Sequence, residues 1–200
     1  MIELTQEEKD IIIDNKELLQ QNKLEEFFYK LDEYGTSRKY IVQFLVDTLG
    51  QKIFTYFKNI PDFSFHSIDL SNICTNGILR LPENIKQIGA NSFSYSEGYH
   101  TLISPASKMS MHAFSYVNNL KTIIITNGTA EDILWLDYSF VECSNVKDIY
   151  LPCGREEWLK AWNDLMGSHI PLDEFEDEDV ACQILHTNKT SCNIHWDYKG

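Results

Sequence analysis

The sequence is short of positive charge. Lys and Arg together number 17 against 30 Asp and Glu, which gives a formal net charge of −13 over 200 residues. Phosphate backbones and anionic membranes repel such a chain, so neither is expected as its partner. The deficit is uneven: residues 121–200 carry 6 basic and 15 acidic side chains, a net charge of −9, whereas residues 61–120 are nearly neutral.

Long apolar runs and paired cysteines are also missing. No stretch approaches the roughly 18 apolar residues of a transmembrane helix, and MIELTQEEKD has neither the basic nor the apolar region of a secretory signal. The five cysteines, an odd number without a C-x-x-C pair, indicate reduced thiols rather than a disulfide framework. These features predict a cytoplasmic protein.

Common catalytic motifs are absent as well. The chain has no P-loop, G-x-G-x-x-G, G-x-S-x-G or H-E-x-x-H sequence. One set of potential metal ligands is present: Cys182, His186, Cys192 and His195. Its spacing matches no common zinc module, so buried strand cysteines are the favoured interpretation. A Cys-His nucleophile pair stays open, because such partners need only be close in space. The expectation is a protein without enzymatic activity, metal or cofactor.

A repeat occupies residues 78–151. Phe93, Phe114 and Phe140 each precede two apolar residues at fixed distances, in the pattern F-x5-Φ-x2-Φ where Φ is apolar. The pairs of Φ residues are Tyr99 and Leu102, Leu120 and Ile123, and Val146 and Ile149. The distance between successive phenylalanines changes from 21 to 26 residues. A constant unit with a variable connection is typical of a solenoid, which accepts insertions in its loops.

The first full copy, LRLPENIKQIGANSFSYSEGYHTL, carries a family pattern at Leu79, Leu81, Pro82, Ile85, Ile88, Gly89 and Phe93. In these positions it resembles the BspA-type leucine-rich repeat. Further matches are Ala113-Phe114, Cys143 and Leu151-Pro152, and a partial copy, FHSIDLS, precedes at residues 65–71. The second copy lacks the proline and glycine, and Trp135-Leu136 replaces the usual Ile-Gly in the third. The layout is similar to short repeat proteins of phages and gut bacteria, and the resemblance implies a protein-binding scaffold.

The predicted fold is α+β, with an N-terminal helical cap (1–60), a leucine-rich-repeat solenoid (61–153) and a C-terminal cap (154–200). Three to four helices are expected first: one opened by a Thr5–Glu8 capping box and containing Ile11 to Leu19, one over 24–31 closed by Gly35, one from a Ser37 cap to Gly50, and a short one over 53–57. Gly89 is expected to permit a tight corner. A separate N-terminal interaction module is the alternative to a cap.

The end of the chain contains three features. A helix is predicted over 155–166, where REEWLKAWNDLM places its apolar residues three and four apart. Six acids in seven residues, 173–179, are expected to form a solvated loop or tail. Two β-like segments, 180–185 and 192–196, are expected to pair as a hairpin around His186.

The candidate binding residues are those that alternate outward from the strands: Asp69, Arg80, Ile103, Ile124 and Tyr150. Stacked in register, they would form a column about 19 Å long, at about 4.8 Å per strand. Exposed isoleucines suggest a protein contact, with Tyr and Arg as its anchors. The alternative is that the chain's own helices or hairpin cover the column.

Two functions are consistent with these features. The first is a protein-binding adaptor or inhibitor of a host protein, which uses the outward face of the repeat sheet. The second is an acidic decoy, whose C-terminal third competes with nucleic acid for a basic host protein.

Overall fold

The computed structural model describes residues 3–20, 23–31, 37–106, 108–136, 138–187 and 191–199. The helices are α1 Gln6–Asp14, α2 Lys16–Gln20, α3 Leu24–Leu31, α4 Ser37–Leu49, a 3-10 helix Gly50–Tyr56, α5 Ala130–Leu134, α6 Arg155–Met166 and α7 Asp177–Leu185. The strands are β1 Asn59–Ile60, β2 Ile78–Arg80, β3 Gln87–Ile88, β4 Thr101–Ser104, β5 Lys108–Met109, β6 Thr122–Ile125, β7 Asp148–Tyr150 and β8 Asn193–His195. The predicted α+β class, with helices at both ends of a solenoid, is confirmed.

The solenoid consists of parallel coils with two sheets. One sheet has the order β1-β3-β5 and the other the order β2-β4-β6-β7-β8. Each of the first three coils runs from a strand of the short sheet through a turn that contains a phenylalanine to a strand of the long sheet. In the fourth coil α5 stands where the earlier coils have a short strand, which accounts for the longer distance to Phe140. The second Φ residues of the repeat pair across the long sheet, Leu102 with Ile123 and Ile123 with Ile149, as predicted.

The repeat phenylalanines form a buried stack, here called the Phe ladder: Phe65, Phe93, Phe114 and Phe140. Successive ring centroids lie 5.1, 4.8 and 5.2 Å apart, and adjacent rings are within 17° of parallel. All four side chains are inaccessible to solvent. No coil can bury such a ring alone, so each coil depends on its neighbours.

The N-terminal helices extend this stack. Phe54 and Phe28 approach Phe65 with ring centroids 5.2 and 5.5 Å away. They belong to the same hydrophobic core cluster as the ladder. The helical segment thus covers the open end of the coils, which is the geometry expected of a cap. The division into domains at 60 and 153 stays a prediction.

The helix boundaries follow local signals. The Thr5 hydroxyl accepts a hydrogen bond from the Glu8 amide (3.3 Å) and the Glu8 carboxylate accepts one from the Thr5 amide (2.7 Å), as the capping box predicts. The expected single helix is interrupted at Asn15, whose side chain donates to the Ile11 carbonyl (2.9 Å). α4 gives way to the 3-10 helix at Gly50, where φ is +59°. Gly35 lies outside the described residues.

The predicted helix over 155–166 is present as α6, with the same bounds. The prediction of a C-terminal hairpin was wrong. Residues 180–185 belong to α7, because Val180, Ala181, Ile184 and Leu185 are buried at helical spacing. β8 is a strand, but it adds in parallel to β7 at the end of the long sheet. Part of the acidic run is not a loop either: Asp177 to Asp179 form the first turn of α7, where negative charge favours a helix. No helix in the described ranges is long and apolar enough to cross a membrane.

Candidate protein-binding face

Four of the five predicted site residues lie in one row on the long sheet. Arg80 pairs with Ile103, Ile103 with Ile124, and Ile124 with Tyr150, so the predicted register is present. The next residue in the row is His195, which pairs with Tyr150. We call these five residues, Arg80, Ile103, Ile124, Tyr150 and His195, the sheet-face row. It crosses five strands and is therefore about 19 Å long.

Asp69 does not belong to this row, contrary to the expectation. Residues 71–77 separate it from β2, and Asp69 forms an isolated bridge with Glu97 instead. Its amide donates to the Gln43 side-chain oxygen (2.9 Å), and its carbonyl accepts from the Gln43 side-chain nitrogen (2.8 Å). Asp69 therefore holds α4 against the solenoid. The sequence could not show this, because the loop of 71–77 breaks the spacing of the partial copy.

The apolar centre of the row is only partly open. Arg80 is exposed, Ile124 and Tyr150 are half-buried, and Ile103 retains 9% of its accessible surface. The Tyr150 ring stacks on His195 at 4.1 Å between centroids, and Tyr198 meets its edge at 5.1 Å. The C-terminal residues thus shield one side of Tyr150, as the alternative of a self-covered column anticipated in part.

A polar row runs beside the sheet-face row on β4, β6, β7 and β8, two residues earlier on each of these strands: Thr101, Thr122, Asp148 and Asn193. The Asp148 Oδ1 accepts hydrogen bonds from His195 Nε2 (3.0 Å) and Asn193 Nδ2 (3.1 Å). These two bonds, above all the one from His195, hold the pKa of Asp148 below its usual value. The sequence analysis missed Asp148, although the period of two in a strand places it on the same face as Tyr150.

The potential metal ligands are distributed over different elements. Cys182 is on α7, His186 follows that helix, Cys192 precedes β8, and His195 bonds to Asp148 on the sheet face. Within the described ranges, no group of three or more His, Cys, Asp or Glu side chains could hold a metal ion.

Four of the five thiols are poor nucleophiles where they stand. Burial raises the pKa of Cys143 and of Cys192 to about 12, and the pKa of Cys74 and of Cys153 to about 11. The Cys143 thiol also donates to the Phe114 carbonyl (3.1 Å), inside the stack of coils. A thiol with such a pKa remains protonated at neutral pH and does not attack a substrate. This counts against the Cys-His alternative at Cys192.

Stacked parallel coils whose long-sheet strands all direct a leucine or isoleucine inward define a leucine-rich-repeat solenoid; these residues are Leu79, Leu102, Ile123, Ile149 and Ile194. The family model of the BspA type leucine rich repeat region matches residues 58–160, in six copies, over half of the chain. The chain belongs to this family. No curated protein and no solved structure matches it. Solenoids of this kind present extended surfaces that bind other proteins, and the fold accordingly fits a protein-interaction module.

Proposed function

We propose that this protein is a non-enzymatic binding module, an adaptor or inhibitor of a host protein, and that it recognises its partner through the sheet-face row. The observation that carries the proposal is the in-register row itself, with Ile124 half-buried between Ile103 and Tyr150. Desolvation of such residues supplies affinity that salt does not screen. Tyr and Arg, at opposite parts of the row, are the side chains that most often dominate a binding interface.

The polarity of the face suggests how the partner is oriented. Arg80 at the β2 edge is an exposed cation, suited to a carboxylate of the partner. At the other end both bonds of Asp148 finish on Oδ1, so Oδ2 can accept a donor from the partner. An extended segment with an acidic group, apolar side chains and then a donor would match the face in that order.

The test begins with the protein that the chain retains from its host, identified and then purified. Ile124→Glu should abolish binding, and Tyr150→Ala should weaken it by about 1–2 kcal/mol, roughly 5- to 30-fold. The matched control is Ile13→Glu, an exposed isoleucine on α1, which should bind like the wild type. Full affinity of a folded Ile124→Glu variant would refute the proposal.

The acidic decoy is the second candidate, favoured by the charge of −9 in residues 121–200. Part of that charge has an internal role, because the Asp177 carboxylate accepts hydrogen bonds from Arg155 (3.0 Å) and from the Trp196 indole (3.1 Å). Salt distinguishes the two functions: decoy binding should collapse as ionic strength rises, whereas binding to an apolar row should change little. If the sheet-face row is the binding site, Glu178→Gln with Asp179→Asn should slow association only.

We also propose that the protein is cytoplasmic. Reducing conditions there preserve thiols, and the five cysteines form no disulfide.

A further inference from the structure

A second set of rings lies on the surface, at the corner of the coils that carries the Phe ladder inside. We call Phe63, His66, Tyr95 and Tyr116 the ring string. Successive centroids are 6.0, 5.6 and 4.6 Å apart, and the two tyrosines stack within 6° of parallel. Phe63, Tyr95 and Tyr116 are 45%, 53% and 38% exposed. This is a contiguous aromatic surface that the fold leaves in water.

The backbone at these positions favours other residues. Tyr95 and Tyr116 have φ values of +56° and +61°, a conformation that glycine or asparagine adopts at lower cost. A bulky side chain there costs on the order of 1 kcal/mol or more. Tyrosine occurs there in two successive coils, and it keeps 53% and 38% of its surface in contact with water. Partial burial does not by itself explain a large aromatic residue at this backbone conformation in two successive coils, which indicates a contact outside the chain.

The same backbone position continues into the next coil at Glu142. The φ of Glu142 is +61°. Each coil forms the same backbone hydrogen bond to the next: the Tyr95 amide donates to the Ser115 carbonyl (3.0 Å) and the Tyr116 amide to the Val141 carbonyl (2.9 Å). Tyr95, Tyr116 and Glu142 therefore leave the backbone on one side, about 4.8 Å apart. Glu142 is exposed and ends the string with a negative charge.

The opposite end of the string is positive. The Arg38 guanidinium donates to the carbonyls of Phe63 and Asp62, at the first coil. After burial itself, the charge of Arg38 and, more weakly, that of Lys39 lower the pKa of His66, so the field at this end of the string is positive. Lys39 is exposed. The string thus runs from cations at the first coil, across aromatic rings, to a carboxylate at the fourth.

We propose that the ring string binds a second copy of this chain in antiparallel orientation. A two-fold axis between Tyr95 and Tyr116, in the second and third coils, exchanges the first coil with the fourth. Lys39 of each copy then faces Glu142 of the other, and the tyrosines meet at the centre. Such an interface is self-complementary, as a two-fold contact requires. Aromatic pairs at its centre add to the free energy of apolar burial.

The net charge sets the strength of this contact. Two chains of −13 repel each other, but at about 0.15 M salt the repulsion reaches only about 8 Å. A small aromatic patch under that repulsion should associate with a dissociation constant on the order of micromolar. The ring string and the sheet-face row lie on different parts of each coil, so a dimer would present two binding faces. This inference does not depend on the proposed function.

The experiment is analytical ultracentrifugation of the full chain, from about 1 to 200 μM, a range around the expected constant. Wild type should change from monomer to dimer. Tyr116→Glu should stay monomeric, because it places a carboxylate at the two-fold axis. Leu165→Glu is the matched control, since Leu165 is 54% exposed on α6, and it should dimerise like the wild type. Thermal unfolding verifies that both variants are folded.

Charge reversal tests the orientation. Lys39→Glu and Glu142→Lys should each weaken the dimer at least about ten-fold, by placing like charges opposite each other. The double variant should recover most of the loss, because it restores opposite charges with their positions exchanged. A wild type that is monomeric throughout, a dimer that survives Tyr116→Glu, or a double variant no better than the single ones would overturn the proposal.

Discussion

The same turn of the repeat produces two aromatic stacks with opposite surroundings. The Phe ladder and the two tyrosines of the ring string are two residues apart in sequence, as in Phe93 with Tyr95 and Phe114 with Tyr116. Ladder rings 93 and 114 lie 4.8 Å apart, string rings 95 and 116 lie 4.6 Å apart, and both pairs are nearly parallel. The ladder is inaccessible to solvent, whereas the string is 38–53% exposed at its tyrosines and Phe63.

The difference shows which stack the fold requires. Each ladder ring is removed from water by the coils above and below it, so its burial contributes to the free energy of folding. Each tyrosine of the string stays partly exposed and occupies a left-handed backbone conformation that favours a smaller residue. Geometry alone does not separate a structural stack from a recognition surface. Burial and backbone cost do.

The largest expected loss of stability comes from removing a ladder ring, and removing the neighbouring string ring provides the comparison. Phe114→Ala should lower the free energy of unfolding by about 3–5 kcal/mol, because it leaves a cavity between two coils. Tyr116→Ala should change it by less than about 1 kcal/mol, since the ring is at the surface. Urea unfolding measures both. Equal losses in the two variants would mean that the exposed string also supports the fold.

The next largest loss of stability is expected at Gly89, where two coils approach each other closely. A Cβ at Gly89 would lie 2.4 Å from the Asp62 carboxylate and 2.6 Å from its amide nitrogen, so Gly89→Ala should cost about 1–3 kcal/mol. Gly154 is the matched control: its nearest neighbours are Asp197 atoms at 3.5 Å, and Gly154→Ala should be nearly neutral. The measurement is again urea unfolding. No loss at Gly89 would show that the coils can separate there without cost.

Gly89 also shows what sequence reasoning can and cannot supply. The repeat pattern predicted that a glycine belongs there and attributed it to a tight corner. The reason is instead the close approach of the preceding coil at Asp62, which involves residues 27 positions away in sequence. Inward residues follow a local period and were predictable. Contacts between coils depend on how loops such as 71–77 are accommodated, which no local period encodes.

The candidate site likewise contains residues that the sequence predicts and residues that it does not. Arg80, Ile103, Ile124 and Tyr150 were predictable, because each alternates with a repeat residue. His195 was not predictable in their row, because no phenylalanine unit precedes β8 and residues 180–185, which the sequence predicts as a strand, form part of α7. The ring string was not predictable, because Tyr95 and Tyr116 adopt a positive φ that the repeat pattern does not reveal.

A smaller effect is expected at the residue before each ladder phenylalanine. The buried Ser92 hydroxyl is within hydrogen-bond distance of the Pro61 (2.8 Å) and Gly89 (2.7 Å) carbonyls, and links two coils. Ser92→Ala should cost about 1 kcal/mol, the usual net value of one hydrogen bond. Ala113 occupies the same position in the next coil, so the backbone tolerates alanine there. A loss as large as that of Phe114→Ala would place the hydroxyl, not the ring, at the centre of the stack.

The smallest effect is a pH dependence confined to the exposed string. Burial, followed by the nearby charge of Arg38, lowers the pKa of His66, whereas the Phe ladder has no titratable group. Between the lowered pKa and the ordinary value of about 6.5, the unfolded chain binds more protons than the folded one. The contribution of His66 is therefore complete above about pH 6.5 and is lost as the pH falls towards the lowered value.

His66→Gln should remove that contribution and flatten the decline of stability between about pH 7 and 5. Because the ring is half-exposed and screened by solvent, the difference should be on the order of a few tenths of a kcal/mol. The two proteins differ at this one residue, so subtracting the two urea-unfolding profiles isolates His66. Lys39→Gln supplies the control, because removing a nearby positive charge should move the His66 pKa upward in an NMR titration. Parallel profiles, or an unmoved titration, would show that His66 does not sense the cations, and the positive end assigned to the ring string would then be lost.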